Sequence, residues 1–192
     1  VLQNGRGPIV VGSSHIDTLP KEIEASAEKV FNFANDMQLS SRDYIAEKRS
    51  INVVNLTIGG NSSHTVMMAG PCAVESKDQI RKSAQLMKDL GVPIMRAGSY
   101  KPRTSPYSFQ GLGKEGLEIL GDIRDEFGLK IITEVKDATH VDDVLEAADI
   151  VQIGTKSMYD HGILTACSHS QKPILVKRGF GTTLQEFVQA AE

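Results

Sequence analysis

From residue 66 onward, short apolar runs alternate with segments in which apolar residues recur at helical spacing. This alternation is typical of parallel α/β folds, in which each helix returns the chain to the same end of the sheet. The runs are almost continuously apolar, as expected of strands that are covered on both faces. The pattern predicts five strands, over residues 66–73, 93–98, 130–135, 150–154 and 173–177.

The segments between these strands carry helix start signals. Ser76 with Gln79 forms a capping-box pattern, Asp137 is a candidate N-cap for a third helix, and Thr182 or Thr183 begins a last one. Five successive β/α units fit either a doubly wound sheet or part of a (β/α)8 TIM barrel, and periodicity leaves both open. The motifs described below favour the barrel, which needs roughly 200 to 250 residues when complete. We therefore expect only its first five β/α units, over residues 66–192.

Residues 1–65 are predicted to form an N-terminal extension of unassigned role. Apolar residues at helical spacing predict an amphipathic helix over residues 20–37. Residues 51–58 predict an edge hairpin that turns at Gly59-Gly60.

Composition and charge exclude several classes of function. A net charge of −3 argues against a nucleic-acid-binding domain, because such domains neutralise phosphates with excess Lys and Arg. No apolar run approaches the ~18 residues of a membrane span, and residues 1–8 lack the order of a signal peptide. Cys72 and Cys167 are too few for a disulfide scaffold. We expect a cytoplasmic protein with neither nucleic-acid nor membrane partners.

Cationic side chains follow the predicted strands where a barrel would place its reactive groups. Taken singly, each is more simply a solvated loop residue. Together they predict a positive funnel for a small, multiply anionic substrate. The loop over residues 100–113 contains two prolines and several donors, as expected of a phosphate-binding loop. The six cations are Arg96, Lys101, Arg103, Lys156, Lys177 and Arg178.

Cys72 follows Gly70-Pro71 at the end of the first predicted strand. A lone cysteine is more often a small buried hydrophobe than a ligand. At a strand end it is also a candidate thiolate ligand for a divalent metal ion. None of the five histidines shares a ligand spacing with it, and we assign Cys167 no role.

Five motifs follow one another at these strand ends. They are Met-Ala-Gly-Pro-Cys-Ala-Val-Glu-Ser at 68–76, Met-Arg-Ala-Gly-Ser-Tyr-Lys-Pro-Arg-Thr from 95, Ile-Thr-Glu-Val at 132–135, Val-Gln-Ile-Gly at 151–154 and Leu-Val-Lys-Arg-Gly-Phe at 175–180. In residues and order they closely resemble the type I beta group of 3-deoxy-D-arabino-heptulosonate 7-phosphate (DAHP) synthases, over residues 66–192. In that family, segments such as 1–65 cover the barrel's N-terminal face, belong to a regulatory domain or mediate oligomer contacts.

The resemblance implies condensation of phosphoenolpyruvate with erythrose 4-phosphate and water, giving DAHP and phosphate at the first step of the shikimate pathway. It implies a divalent metal ion (Mn, Fe, Co or Zn) bound by Cys72, and a homo-oligomer for the full-length protein. Lys101, shared between the substrates, and Glu134, which helps to place water, would be catalytic. Phosphoenolpyruvate would be bound by Arg96, Lys101, Gly154, Lys156 and Lys177. Erythrose 4-phosphate would be bound by Lys101, Pro102, Arg103, Thr104 and Ser105.

Two features depart from the family's pattern. Thr155-Lys156 stands where the family usually has Ala-Arg, which keeps the positive charge but loses the bidentate guanidinium. The family's other metal ligands, a His, a Glu and an Asp, and a further phosphate-binding Arg lie on strands six to eight, which the 192 residues do not include. We therefore expect the isolated chain to be inactive.

Two alternatives remain open. A 3-deoxy-D-manno-octulosonate 8-phosphate synthase shares the barrel and the phosphoenolpyruvate chemistry, but has an Ala-Asn-Arg-Ser type sequence where this chain has Lys-Pro-Arg-Thr at 101–104. That loop favours the four-carbon aldose phosphate over arabinose 5-phosphate. The other alternative is a non-catalytic truncated barrel that binds only phosphate or a partner subunit.

Overall fold

A computed structural model describes residues 2–3, 8–12 and 18–192 of the chain. Its contacts divide it into two units, Val1–Glu47 with Glu192, and Lys48–Ala191. In the first unit, β1 (Leu2–Gln3) pairs with β2 (Pro8–Ile9), and α1 (Lys21–Ser26) follows. The helix predicted over 20–37 is therefore wrong beyond Ser26. The short helix buries none of its residues, so its apolar side chains gain no packing energy that would extend it.

The second unit begins with a hairpin of β3 (Ser50–Val53) and β4 (Leu56–Gly59). The predicted turn at Gly59-Gly60 is wrong, because the chain turns at residues 54–55. The two glycines instead end the hairpin, with φ of 83° and 62°. A Cβ on Gly59 would lie 2.8 Å from the Arg49 carbonyl oxygen, so this position needs a residue without a side chain.

Five parallel strands form the central sheet of this unit, and they lie in sequence order, β5-β6-β7-β8-β9. A doubly wound sheet reverses its strand order at a switch point, whereas a barrel adds each strand beside the last. The predicted partial (β/α)8 TIM barrel is thus confirmed. The strands are β5 (Met68–Ala69), β6 (Ile94–Arg96), β7 (Lys130–Val135), β8 (Ile150–Ile153) and β9 (Ile174–Val176).

The first strand is shorter than the predicted 66–73. It pairs with β6 over only Met68 and Ala69, and one further bridge joins Ala73 to Gly98. Between them the chain leaves the ladder at Gly70, where φ is 142° and a Cβ would lie 2.3 Å from the Arg96 carbonyl oxygen. This departure carries Cys72 to the edge of the sheet beside Arg96.

A helix follows each strand of the central sheet, and the predicted N-caps explain where several of these helices begin. Ser76 Oγ accepts from the Gln79 amide at 3.1 Å, and Thr183 Oγ1 accepts from the Glu186 amide at the same distance. Asp137 caps a 3₁₀ turn, Ala138–His140, rather than the helix after it. None of the helices in the described residues is long and apolar enough to cross a membrane. The helices are α2 (Lys77–Asp89), α3 (Lys114–Phe127), α4 (Val141–Ala147), α5 (His161–Ser168) and α6 (Leu184–Ala191).

Buried apolar side chains cover both faces of the sheet. One face packs against α2 to α5. On the other, Val53 of the hairpin packs with Ile94, Ile132 and Ile150. Ile94 and Ile150 are the first residues of their strands, so the hairpin covers the sheet near the amino ends of its strands. The carboxyl ends are left to form a site.

Candidate functional site

A cleft of about 810 Å³ lies at the carboxyl ends of the strands. Every predicted site residue except Gly154 lines it. Five of its side chains are cationic and one, Glu134, is a carboxylate, although the chain as a whole is acidic. The lining residues are Cys72, Arg96, Lys101, Pro102, Arg103, Thr104, Ser105, Ser108, Glu134, Gln152, Thr155, Lys156, Lys177 and Phe180.

One of the six predicted cations, Arg178, does not line this cleft. Its guanidinium donates to the Thr182 carbonyl oxygen, from Nε at 2.8 Å and from Nη2 at 2.5 Å. Arg178 is therefore held by the turn after β9. Its position at a strand end did not predict this local contact. The predicted funnel thus contains five of the six cations.

The inner part of the cleft is organised around the Cys72 carbonyl oxygen. It accepts hydrogen bonds from Arg96 Nη1 and from Lys101 Nζ, each at 3.0 Å. Lys101 is only 6% exposed, and a buried ammonium group is tolerated only when it is hydrogen-bonded. A Cβ on Gly98 would lie 3.0 Å from Lys101 Cδ, so the lysine stem passes directly over this glycine. Gly98 and the Cys72 carbonyl together fix the ammonium group at the cleft.

The loop that follows β6 is tied at both ends. The Lys101 amide donates to the Gln110 carbonyl oxygen at 2.9 Å, and the Gly113 amide donates to the Ser99 carbonyl oxygen at 3.0 Å. Between these ties lie the predicted sugar-phosphate residues Pro102, Arg103, Thr104 and Ser105. The side chains of Arg103, Thr104 and Ser105 are exposed and open to a ligand.

A second loop joins this one across the cleft mouth. Lys156 Nζ, after β8, donates to Thr104 Oγ1 at 2.6 Å. Lys156 and Lys177 are both exposed. The cations of the outer part of the cleft are therefore exposed to solvent, while Lys101 in the inner part is buried.

Glu134 is buried at the floor of the cleft, 6% exposed. Its Oε2 lies 3.4 Å from Arg96 Nη2 and accepts a hydrogen bond from Gln152 Nε2. Gln152 Oε1 in turn accepts from Arg96 Nε at 3.2 Å. Gln152 belongs to the Val-Gln-Ile-Gly motif but was not among the predicted site residues. The sequence did contain a signal for it, since Gln152 is a polar residue inside the otherwise apolar strand predicted over 150–154. A buried amide needs hydrogen-bond partners for both of its ends.

Gly154 is not among the lining residues of the cleft, but it lies against the Glu134 carboxylate. A Cβ at this position would lie 2.1 Å from Glu134 Oε1. The missing side chain therefore makes room for the carboxylate. That the Gly154 backbone also approaches a phosphate stays a prediction.

Cys72 is exposed at the cleft, and its thiol is electrostatically perturbed. Burial alone would raise the pKa of this thiol, but hydrogen bonding and positive charge from Lys101, and then from Arg96, outweigh burial and lower that pKa below its ordinary value. Within the described ranges, no group of three or more His, Cys, Asp or Glu could hold a metal ion. The cleft thus offers one activated thiol, which is too few ligands for a divalent ion.

We expect Cys72 to be alkylated by iodoacetamide about tenfold or more faster than Cys167 near neutral pH, because the thiolate is the nucleophile. Burial raises the pKa of the Cys167 thiol, whereas the cations lower that of Cys72. Mass spectrometry of metal-free protein over a pH series measures both rates. Faster modification of Cys167 at every pH would contradict this arrangement.

Comparisons with known proteins give a consistent result. The model of the family described as "DAHP synthetase I family" matches residues 38–192. Phospho-2-dehydro-3-deoxyheptonate aldolase of Thermotoga maritima is 39% identical over 165 residues, which cover 86% of this chain and 48% of the relative. A 2-dehydro-3-deoxyphosphooctonate aldolase of Bordetella petrii is 33% identical over 133 residues, which cover 66% of this chain and 47% of that relative.

Solved structures agree with the sequence comparisons. The crystal structure of the Thermotoga maritima phospho-2-dehydro-3-deoxyheptonate aldolase (DAHP synthase) matches with a TM-score of 0.74 and 38% identity, covering 81% of this chain and 44% of that one. A truncated form of 3-deoxy-D-arabino-heptulosonate 7-phosphate synthase from the same organism matches with a TM-score of 0.70 and 34% identity, covering 80% and 54%. The chain spans about half the length of the curated relatives that it matches.

Proposed function

The chain belongs to the DAHP synthetase I family, and we propose that its protein is a 3-deoxy-7-phosphoheptulonate synthase. The enzyme would condense phosphoenolpyruvate with erythrose 4-phosphate and water, and release DAHP and phosphate at the first step of aromatic amino-acid and chorismate biosynthesis. The observation that carries this proposal is the cleft, in which five cations surround one buried carboxylate. Two phosphates and a carboxylate on the substrates match that excess of positive charge. Residues 66–192 would be the catalytic barrel and 1–65 its N-terminal extension.

The two substrates would occupy different parts of the cleft. Arg96 and Lys101 are fixed at the Cys72 carbonyl and suit phosphoenolpyruvate, which must be held rigidly while its enol carbon reacts. Its phosphate would reach Lys156, Lys177 and the backbone at Gly154. Erythrose 4-phosphate would be bound by the loop side chains of Pro102, Arg103, Thr104 and Ser105, with Lys101 shared between the substrates.

In the proposed reaction, C3 of phosphoenolpyruvate forms a bond to the aldehyde carbon of erythrose 4-phosphate, and the aldehyde C=O π bond opens to an alkoxide. Water adds at C2, and phosphate leaves with cleavage of the C–O bond. Of the two protons of the added water, one goes to this alkoxide and the other goes to the leaving phosphate. The fixed cations neutralise the substrate anions and stabilise the charge that develops. Glu134, buried beside Arg96, would accept a hydrogen bond from the water and orient it.

Cys72 would supply one ligand to a divalent ion, Mn, Fe, Co or Zn. Its cation-stabilised thiolate suits such borderline metals. The described residues do not complete a metal site, and we assign no reaction step to the ion.

An octulosonate enzyme is the alternative, since relatives with such names also match, at 32–36% identity against 39% for the heptonate enzyme. The Lys-Pro-Arg-Thr sequence at 101–104 favours the four-carbon sugar. We further propose a cytoplasmic location, supported by two free cysteines, and a homo-oligomer with neither nucleic-acid nor membrane partners.

We expect Arg103→Ala, made in the full-length gene product, to raise KM for erythrose 4-phosphate far more than KM for phosphoenolpyruvate. Loss of a charge-assisted contact of ~1.5–3 kcal/mol corresponds to roughly ten- to a hundredfold. Arg103→Lys should rescue little if the guanidinium binds the phosphate through two nitrogens. Steady-state kinetics with each substrate varied in turn measures both constants. Equal increases in both would show that the loop does not bind the sugar phosphate.

A further inference from the structure

We propose that Gln152 is a positioning residue that holds Glu134 and Arg96 in one arrangement and leaves a single oxygen of Glu134, Oε1, free to bind the reacting water. The inference deepens the proposed function and rests on the role proposed there for Glu134. The Gln152 side chain makes no proposed contact with the reacting atoms.

Strand register explains why these side chains meet. Glu134 of β7 pairs directly with Gln152 of β8, so the two side chains stand on the same face of the sheet. Gln152 is 3% exposed and the other residues of β8 are Ile150, Val151 and Ile153. An amide buried in such a strand is costly unless both of its ends are bonded. Both ends are bonded here, which makes Gln152 more than a packing residue.

The two ends of the amide match the two charges that they contact. Its Oε1 can only accept, and it faces Arg96 Nε at 3.2 Å. Its Nε2 can only donate, and it faces Glu134 Oε2. Arg96 Nη2 and Glu134 Oε2 are 3.4 Å apart, long for a direct charge-assisted bond. Gln152 therefore bridges Arg96 and Glu134, whose direct contact is longer than a charge-assisted hydrogen bond.

Both donors meet the same carboxylate oxygen. Arg96 Nη2 and Gln152 Nε2 converge on Oε2, and no donor among the described residues is bonded to Oε1. Oε1 instead lies against Gly154, only 2.1 Å from the position that a Cβ on this glycine would occupy. This asymmetry assigns the two oxygens different tasks. Oε2 is the anchored oxygen, and Oε1 is the acceptor available to water.

The variant Gln152→Met preserves side-chain volume and removes both hydrogen bonds. In the full-length gene product it should lower kcat about 10- to 100-fold, because two bonds are lost and one of them is to a carboxylate. KM for erythrose 4-phosphate should change less than about threefold, since the hydrogen bonds of Gln152 go to Arg96 and Glu134 and not to the loop over 101–105. The matched control Gln85→Met, on the exposed face of α2, should leave kcat unchanged.

A double-mutant cycle with Glu134→Gln separates positioning from packing. If Gln152 acts through Glu134, then Gln152→Met should lower kcat less than about threefold in the Glu134→Gln background. A packing role would give the full 10- to 100-fold loss in both backgrounds and would overturn the inference. Thermal unfolding of each variant checks that it is folded. If Gln152→Met does not fold, Gln152→Asn decides, because it keeps a buried amide that is one methylene too short to reach both Arg96 and Glu134, and wild-type kcat in that variant would also overturn the inference.

The same set of variants distinguishes this inference from the proposed function. Wild-type activity in Glu134→Gln would remove the role proposed for Glu134, and the inference with it. A defective Glu134→Gln together with a fully active Gln152→Met would leave the role of Glu134 intact and overturn only the positioning by Gln152. Defects in both single variants that do not add in the double variant would support the inference.

Discussion

Gly154→Ala should lower kcat by about 100-fold or more in the full-length gene product, the loss expected when a reacting group is displaced by about 1 Å. The new Cβ would lie 2.1 Å from Glu134 Oε1 and 2.9 Å from its Cδ, so the carboxylate must move. The backbone at Gly154 has φ −72° and ψ 163°, which alanine adopts without strain. Among the described residues, the close contacts that the new Cβ would make are therefore those with Glu134.

A matched glycine separates this effect from a general loss of stability. Gly121 lies within α3, where a Cβ would meet nothing within 4 Å. Gly121→Ala should leave kcat unchanged and raise stability by up to ~1 kcal/mol, because alanine favours the helix. Steady-state kinetics and thermal unfolding of both variants make the comparison. Wild-type kcat in Gly154→Ala would show that the position of the Glu134 carboxylate does not matter for turnover.

Lys101→Met should lower kcat/KM for phosphoenolpyruvate about 100- to 10,000-fold, because the ammonium is proposed to contact both substrates and each charged contact contributes ~1.5–3 kcal/mol. The lysine is buried and held by the Cys72 carbonyl oxygen, so solvent cannot replace its charge. Methionine fills most of the same volume above Gly98. The loss is therefore expected from charge rather than from packing.

The same variant has a second readout that does not depend on turnover. Lys101 is the main cause of the lowered pKa of the Cys72 thiol, so Lys101→Met should raise that pKa and slow alkylation of Cys72 at neutral pH. Lys82→Met is the matched control, since Lys82 is exposed on α2 and pairs with Asp78, away from the cleft lining. Unchanged kcat/KM and unchanged Cys72 reactivity in Lys101→Met would together contradict the arrangement of the inner cleft.

Local signals predicted the fold well wherever a short stretch of sequence determines the structure. The strand predicted over 130–135 is Lys130–Val135, and the Ser76 and Thr183 caps bond as expected. The helix predicted over 20–37 ends at Ser26, and none of the residues in Lys21–Ser26 is buried. The predicted position of the hairpin turn was wrong, because the chain turns at residues 54–55. There Val54 has φ 55°, a conformation that a β-branched residue rarely adopts.

The candidate site was predictable as a collection of residues but not as an arrangement. The barrel rule brings strand-end residues together, which explains why nearly all the predicted side chains line one cleft. The role of Gln152 depends on its register opposite Glu134, which requires the paired strands to be known. The space at Gly154 likewise depends on a side chain twenty residues earlier in the sequence.

The most direct test is to incubate the full-length gene product with phosphoenolpyruvate, a divalent metal ion and either erythrose 4-phosphate or arabinose 5-phosphate. Loss of phosphoenolpyruvate and release of phosphate are followed together, and the product is identified by mass spectrometry. With erythrose 4-phosphate we expect one phosphate released for each phosphoenolpyruvate consumed, and DAHP as the product. With arabinose 5-phosphate we expect much slower turnover. Preference for the five-carbon sugar, or no consumption of phosphoenolpyruvate with either sugar, would contradict the proposed function.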